Sequence, residues 1–242
     1  FWNSSWVVSA SALPASISDE EIAERRRKLR SDVRSAKNLE SFAISPQDWS
    51  NDLQALLPQL HIGSSKIIFD RIENGELLRG MVDPLGQLMR SAEREIQVVN
   101  AYIIPDQDFI DGITQMVNRG IDIRILTNSL ASHDVPAVNS HYKKWRKPIF
   151  GAGAELYELR ADPAIKSRVD TAPVKSKFTG LHTKSVVVDR QHVFIGSMNF
   201  DPRSVNINTE MGIIIDSPGL GAEMARLAQR DMAPENAWQV KL

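Results

Sequence analysis

The chain contains no cysteine among its 242 residues. That excludes disulfides, thiolate zinc centres and cysteine nucleophiles, and it leaves the redox compartment undecided. Long apolar runs are missing too: nothing approaches the roughly eighteen consecutive apolar residues of a membrane span. Nor is there an excess of either charge, with 29 Lys and Arg against 30 Asp and Glu and a formal net charge of -1. Any attraction to phosphates must therefore come from local patches. Thirteen Gly and twelve Pro are too few for collagen-like or low-complexity character. What is present, 42% hydrophobic and 24% charged residues, is the balance of an ordinary globular chain able to bury a real core. No secretory signal peptide is visible. The opening Phe1 and FWNSSW read as the interior of a longer polypeptide, with N-terminal processing as the alternative.

Residues 1–16 are Ser- and Ala-rich and read as a connector, and residues 17–242 as one folded domain. Ser18 and Glu21 fit a capping box for a helix whose acids come first and whose basic run, RRRKLR, follows, as the helix dipole favours. A short helix is expected from Pro46 to about Leu60. Strands are then expected at 66–72, 96–104, 121–128 and 155–159, with helices at 83–95, 106–118 and 135–152 between them. This alternation predicts βαβ units and a largely parallel sheet. Two strands in quick succession, KSVVVD and HVFIGS, a strand over 210–216 and a helix over 219–231 complete the pattern. The segment 161–180 breaks it, with two Pro, no periodicity and four basic residues against two acids. A loop of that length is usually functional or disordered.

The most informative stretch is HTKSVVVDRQHVFIGSMNFDPRS, residues 182–204. His182 and Lys184, two apart on a strand, are expected on one face. Gly196, Ser197 and Asn199 end the next strand, where backbone and short polar side chains can approach a ligand. An imidazole, an ammonium and an amide suit a phosphodiester, because the base handles the bond to phosphorus while the other two neutralise its free oxygens. Asp189, at the turn between the strands, reads as a backbone-bonding turn residue.

The pattern HxK, four residues, Asp, six residues, GSxN, is matched at His182, Lys184, Asp189, Gly196, Ser197 and Asn199, and it resembles the signature of the phospholipase D superfamily. NAYIIP, RILTNSLASHDVPAVNSHYKKWRKP, GAELYELR and NFDPRSVNINTE extend the resemblance to bacterial cardiolipin synthases, C-type, over roughly residues 96 to 216. The resemblance implies an α/β fold, a mixed sheet between two layers of helices. It also implies phosphatidyl transfer through a phosphohistidine without metal or cofactor. Such synthases join two motif-bearing halves at one site. This sequence carries one motif, so the resemblance makes residues 17–242 one catalytic half-domain and 1–16 the tail of a preceding half, with the other motif supplied by that upstream half or by a second copy of the chain. The implied substrates are phosphatidylglycerol and phosphatidylethanolamine, on the cytoplasmic side of a bacterial inner membrane with an anionic surface.

Within the resemblance His182 takes the acid–base part, and Glu210 matches the acidic partner of the motif histidine. Lys184 and Asn199, with Ser197 nearby, grip phosphate. Tyr102, Asn128 and His133, at strand ends or in the synthase-like segment, are candidates for the head-group pocket. His61, His133 and His141 lack metal-ligand spacing. HYKKWRK (141–147) would suit an anionic membrane or stacked bases, though a plain amphipathic helix face explains it as well. No nucleic-acid partner is expected. Two alternatives remain open: a homodimeric nuclease of the same superfamily, and a lipid-binding half-domain without catalysis.

Overall fold

A computed structural model of the chain describes residues 17–36, 46–170 and 176–241. The connector at 1–16 and residues 171–175 of the expected loop lie outside the described residues. The chain divides into two compact units, the first running to Trp49, the second comprising Ser50–Asp170 and Ser176–Leu242. The first unit holds α1 (Asp19–Ser35), capped by the Ser18 hydroxyl accepting from the Glu21 amide at 3.2 Å. Glu21 itself pairs with Arg25 one turn on, at 2.7 Å, instead of closing the box. Helix α2 (Pro46–Leu56) crosses the division and ends in a 3-10 turn at Leu57–Gln59.

The second unit is built on an eight-stranded sheet. Its strands are β1 (Ser64–Phe69), β4 (Glu95–Asn100), β5 (Asp122–Asn128), β6 (Glu155–Leu159), β7 (Lys184–Val188), β8 (His192–Gly196), β9 (Met211–Asp216) and β10 (Ala237–Gln239). A separate hairpin joins β2 (Arg71–Glu73) and β3 (Glu76–Leu78) through Asn74 and Gly75, both at positive φ. The Asn-Gly pair is the residue choice such a two-residue turn requires. Strand order is β1-β9-β8-β7-β4-β5-β6-β10.

Only β4, β5 and β6 run parallel; the other pairings are antiparallel. The expectation of a largely parallel sheet is therefore corrected to a mixed one. The reason is local. Helical crossovers return the chain parallel, through α4 (Gln107–Asn118) and then through the helical run 136–151. The three-residue link Asp189–Gln191 between β7 and β8 can only reverse it.

Apolar side chains alternate to two cores. Ile96, Val98, Ile123, Ile125, Val186 and Phe194 pack with α3 (Val82–Arg90) and α4, together with Tyr142 and Ile149 from the 136–151 run. On the other face Val99, Leu126, Val187 and Val193 meet Ala225 and Ala228 of α9 (Pro218–Asp231). The sheet thus lies between two layers of helices. The α9 side is covered only in part: Ile67 and Phe69 of β1, Ile195 of β8 and Met211 of β9 stay exposed on that face.

The helix expected at 135–152 is broken into α5 (Pro136–Tyr142), a 3-10 turn and α6 (Arg146–Gly151). Its basic run divides accordingly. Tyr142 is buried and donates to Glu158 at 2.8 Å, and Arg146 grips both Glu158 oxygens, while Lys143, Lys144 and Lys147 face outward. Among the described residues of 161–180 a single helical turn, α7 (Lys166–Val169), forms.

Candidate active site

The functional side chains cluster where β7 begins and β8 ends. The expected His-x-Lys strand pair is only half realised: β7 starts at Lys184, and His182 stands exposed just before it. Lys184 is 5% exposed, and its ammonium turns back to donate to the His182 carbonyl at 2.7 Å and to Nδ1 of the ring at 3.2 Å. An ammonium has no lone pair, so Nδ1 must be the acceptor and the neutral ring carries its proton on Nε2.

Among the described residues the ammonium makes no ion pair, which leaves one donor unused. Burial pushes the Lys184 pKa below the usual lysine range, and Glu210, Asp134 and Asp201 act in the opposite direction. A partly desolvated cation with a free donor is what a phosphate oxygen seeks.

Glu210 does not touch His182. One of its oxygens accepts from the Ser197 hydroxyl, the other from the Asn208 amide at 3.0 Å. Ser197 is locked in the same network, its Oγ also accepting from the Met211 amide at 3.1 Å, so its proton is already committed. Asn199 is different: its Oδ1 is buried without a hydrogen-bond partner. Such an atom is costly to leave unpaired, and only a donor can satisfy it, so any grip of Asn199 on phosphate must come from its Nδ2. Gly196 is required by packing, since a Cβ there would lie 2.7 Å from the Met211 carbonyl across the β8–β9 pair.

Asp189 has a structural part, though not with its own turn. Its carboxylate receives the backbone amides of Glu93 at 2.9 Å, Arg94 at 2.8 Å and Glu95 at 3.0 Å, which fastens the entry of β4 to the β7–β8 turn. Burial raises its pKa, but the three donors together outweigh that and hold the carboxyl below its ordinary value.

Of the other candidates, Tyr102 donates to Asp134 at 2.7 Å and stacks on His133 with ring centroids 5.1 Å apart. Burial and then the Asp134 bond push its phenol up to about 12. His133 accepts the Val135 amide on Nδ1 at 3.1 Å, and burial lowers its pKa against the pull of Asp134. Asn128 spends its amide on backbone: Nδ2 donates to the carbonyls of Ala101 and Leu181, and Oδ1 accepts from the Leu181 amide at 2.8 Å. It therefore holds the residue before His182 in place and has no group left for a substrate. A cleft of about 730 Å³ opens beside Asn199 and Tyr102, with Asp201, Arg203 and Asn208 also on its walls.

Three residues escaped sequence reasoning. Asn100 ties Met198 and Phe200 to β4, so that residues 198–200 lie along 102–104. Asp201 caps α8 (Pro202–Asn206), and the Asp-Pro pair was its available signal. Asp70 accepts from the amides of Gly80, Met81 and Glu210, which fixes the start of β9; nothing in its neighbours marks it.

The profile of the family described as "Cardiolipin synthase, PLD-like domain" matches residues 85–232. The chain belongs to that family. Escherichia coli (strain K12) cardiolipin synthase C is 38% identical over 159 residues, which covers 65% of this chain and 33% of that protein. The chain thus spans about a third of the length of the curated relatives it matches. The fold is shared with Nuc of Salmonella typhimurium, a phospholipase D family member, at TM-score 0.54 and 18% identity, over 75% of this chain and 100% of that one. It is shared also with phosphatidylserine synthase of Haemophilus influenzae, at TM-score 0.53 and 15% identity, over 95% of this chain and 49% of that one. The family match takes in α4, every strand from β4 to β9 and all six motif positions. Among the described residues no helix is long and apolar enough to cross a membrane.

Proposed function

We propose that this chain supplies one half of a phosphatidyltransferase site that makes cardiolipin from phosphatidylglycerol and a second phospholipid, with phosphatidylethanolamine as the phosphatidyl donor. The observation that carries the reading is the buried Lys184 ammonium, with an unused donor, set against the His182 ring. The ammonium, joined by the Asn199 Nδ2 as a second donor, would hold the two free oxygens of a phosphodiester, and the ring would reach one of its ester oxygens.

In the first step the histidine of a second motif bonds to phosphorus, and the ester bond to the head group breaks. His182, as imidazolium, gives its Nε2 proton to the departing oxygen. In the second step the hydroxyl of phosphatidylglycerol attacks phosphorus, the phosphorus–nitrogen bond breaks, and His182 takes the hydroxyl proton. An imidazolium carries a proton on Nδ1 as well, so Lys184 must leave that nitrogen for the phosphate before the first step. Lysine and substrate charge are thereby coupled.

The exposed apolar end of the sheet at Ile67, Phe69, Ile195 and Met211 offers the second half a surface to cover. We place the assembled enzyme peripherally on the cytoplasmic face of the inner membrane, held by anionic lipid.

The test is to incubate purified 1–242 with labelled phosphatidylglycerol and phosphatidylethanolamine, alone and with the rest of a full-length cardiolipin synthase of the family. Product only on mixing, lost in His182→Ala, supports the reading. Cardiolipin formed by the isolated chain in proportion to its dimer would replace the upstream half by a second copy. Cleavage of single-stranded DNA without any lipid turnover would overturn it.

A further inference from the structure

Ile207 is a large aliphatic side chain directly after α8, and it is 73% exposed. It is not isolated. It lines the cleft of about 730 Å³ beside the motif, and Ile104, Val135, Val138 and Pro202 line it too. Val135 is itself 39% exposed, so two bulky aliphatic groups of one cavity face water. Asn199, whose Oδ1 is buried and unpartnered, belongs to the same walls. The aliphatic cavity therefore begins at a group assigned to phosphate.

We propose that this cleft is an acyl-chain subsite, taking the glycerol-proximal methylenes of a phospholipid whose phosphate is held by Lys184 and Asn199. The inference rests on the phosphate reading above and adds the part of the substrate that sets lipid apart from other phosphodiesters. A nucleic-acid backbone calls for a cationic track and aromatic platforms for its bases. The exposed surface of these walls is mainly apolar although eight of the fourteen lining residues are polar; Arg203 is the one Arg or Lys, Asp201 adds a carboxylate that would repel a phosphate backbone, and Tyr102 is held by Asp134 and His133. An alkyl chain gains from leaving water for such walls at about 0.8 kcal/mol per buried methylene, roughly fourfold in affinity for each. Three buried methylenes would be worth roughly sixtyfold by the same figure.

The test needs binding only, so the isolated chain suffices. Dissociation constants are measured by calorimetry for dihexanoyl-phosphatidylglycerol below its micelle concentration and for glycerophosphoglycerol, which has the same head and phosphate without chains. The acylated probe is expected to bind at least about tenfold tighter. Ile207→Glu, at an exposed position, should remove that preference while leaving glycerophosphoglycerol binding unchanged, and Val138→Trp should do the same by filling the cleft. Equal affinity for both probes, or a preference that survives Ile207→Glu, overturns the proposal. So does a change of oligomeric mass in Ile207→Glu without a change in lipid affinity, because the cleft would then seat a second copy. Lys184→Ala should weaken both probes by the same factor. If it weakens neither while Ile207→Glu still abolishes the preference, the acyl subsite stands and the phosphate site is at fault.

Discussion

Replacing Asp189 by Asn separates a structural motif residue from a chemical one. Asp189 sits at φ 54, in the left-handed region that Asn tolerates, so the backbone is not strained by the change. The amide of Asn keeps one oxygen, enough for the bonds from Arg94 and Glu95. Its NH2 then faces the Glu93 amide, donor against donor, where a carboxylate oxygen accepted at 2.9 Å. One charge-assisted bond is lost and two are weakened. With hydrogen bonds to charged groups worth about 1.5–3 kcal/mol net, and with this carboxylate half-buried, the loss should be about 2 kcal/mol. For a chain of this size that lowers the melting temperature by about 4–8 °C. The sign of the pH dependence follows from the depressed pKa. Stability from Asp189 is fully present above the unfolded value near 3.9 and is lost as pH falls through the lower folded value. The gap between wild type and Asp189→Asn should therefore be constant at neutral pH and close in strong acid. Thermal unfolding followed by circular dichroism at several pH values measures this. An unchanged melting temperature together with lost transfer activity would refute the reasoning and return Asp189 to the chemistry.

His182→Ala should melt like wild type, since the ring is exposed, yet lower cardiolipin formation in the completed enzyme by at least about 10²–10⁴-fold, the worth of a general acid; near-normal product from a folded variant would sink the assignment. Lys184→Ala should damage turnover more than Asp189→Asn, and equal losses at equal stability would contradict the division of roles. Because burial lowers the Lys184 pKa, affinity for glycerophosphoglycerol should fall as pH rises through a value below the usual lysine range, and Lys184→Arg should flatten that profile in calorimetric titrations. Binding of the chain to anionic vesicles should weaken with salt and in a Lys143→Glu, Lys144→Glu, Lys147→Glu variant, each cation contributing about 1 kcal/mol near the surface; salt-independent sedimentation with vesicles would point to inserted apolar groups.

The elements that were legible in the sequence are those whose signal is local. EIQVVN and DIRILTN carry Ile, Val and Leu, good strand formers, up to a closing Asn, and both became central strands buried on two faces. The motif was legible because its two ends flank a pair of neighbouring strands joined by a three-residue link. β10 was not, because Ala237–Gln239 is a strand only through its pairing with β6. The same holds within the site. Ser197 and Glu210 were named as groups for phosphate and for His182, but the β8–β9 register brings them to each other instead. Its place at a strand end marks Asn128 as a pocket residue, but its amide supports Leu181. Spacing along one strand reports which residues are near; which bonds they make depends on partners far away in the chain.

The position of β7 in the strand order has a kinetic consequence. It lies fourth of eight, and all five of its residues are buried. Amide protons of Lys184–Val188 should therefore exchange with solvent only when the whole unit opens, whereas β1 and β10, at the two edges, open by fraying. The backbone of Lys184, the lysine proposed for phosphate, is thus anchored in the slowest-exchanging part of the molecule. His182, two residues upstream and outside the ladder, hangs on a segment secured by the Asn128 amide. Deuterium uptake should rise sharply between those two positions. The backbone under the cation is then a fixed point, and the parts free to rearrange are the Lys184 side chain and the imidazole it must release.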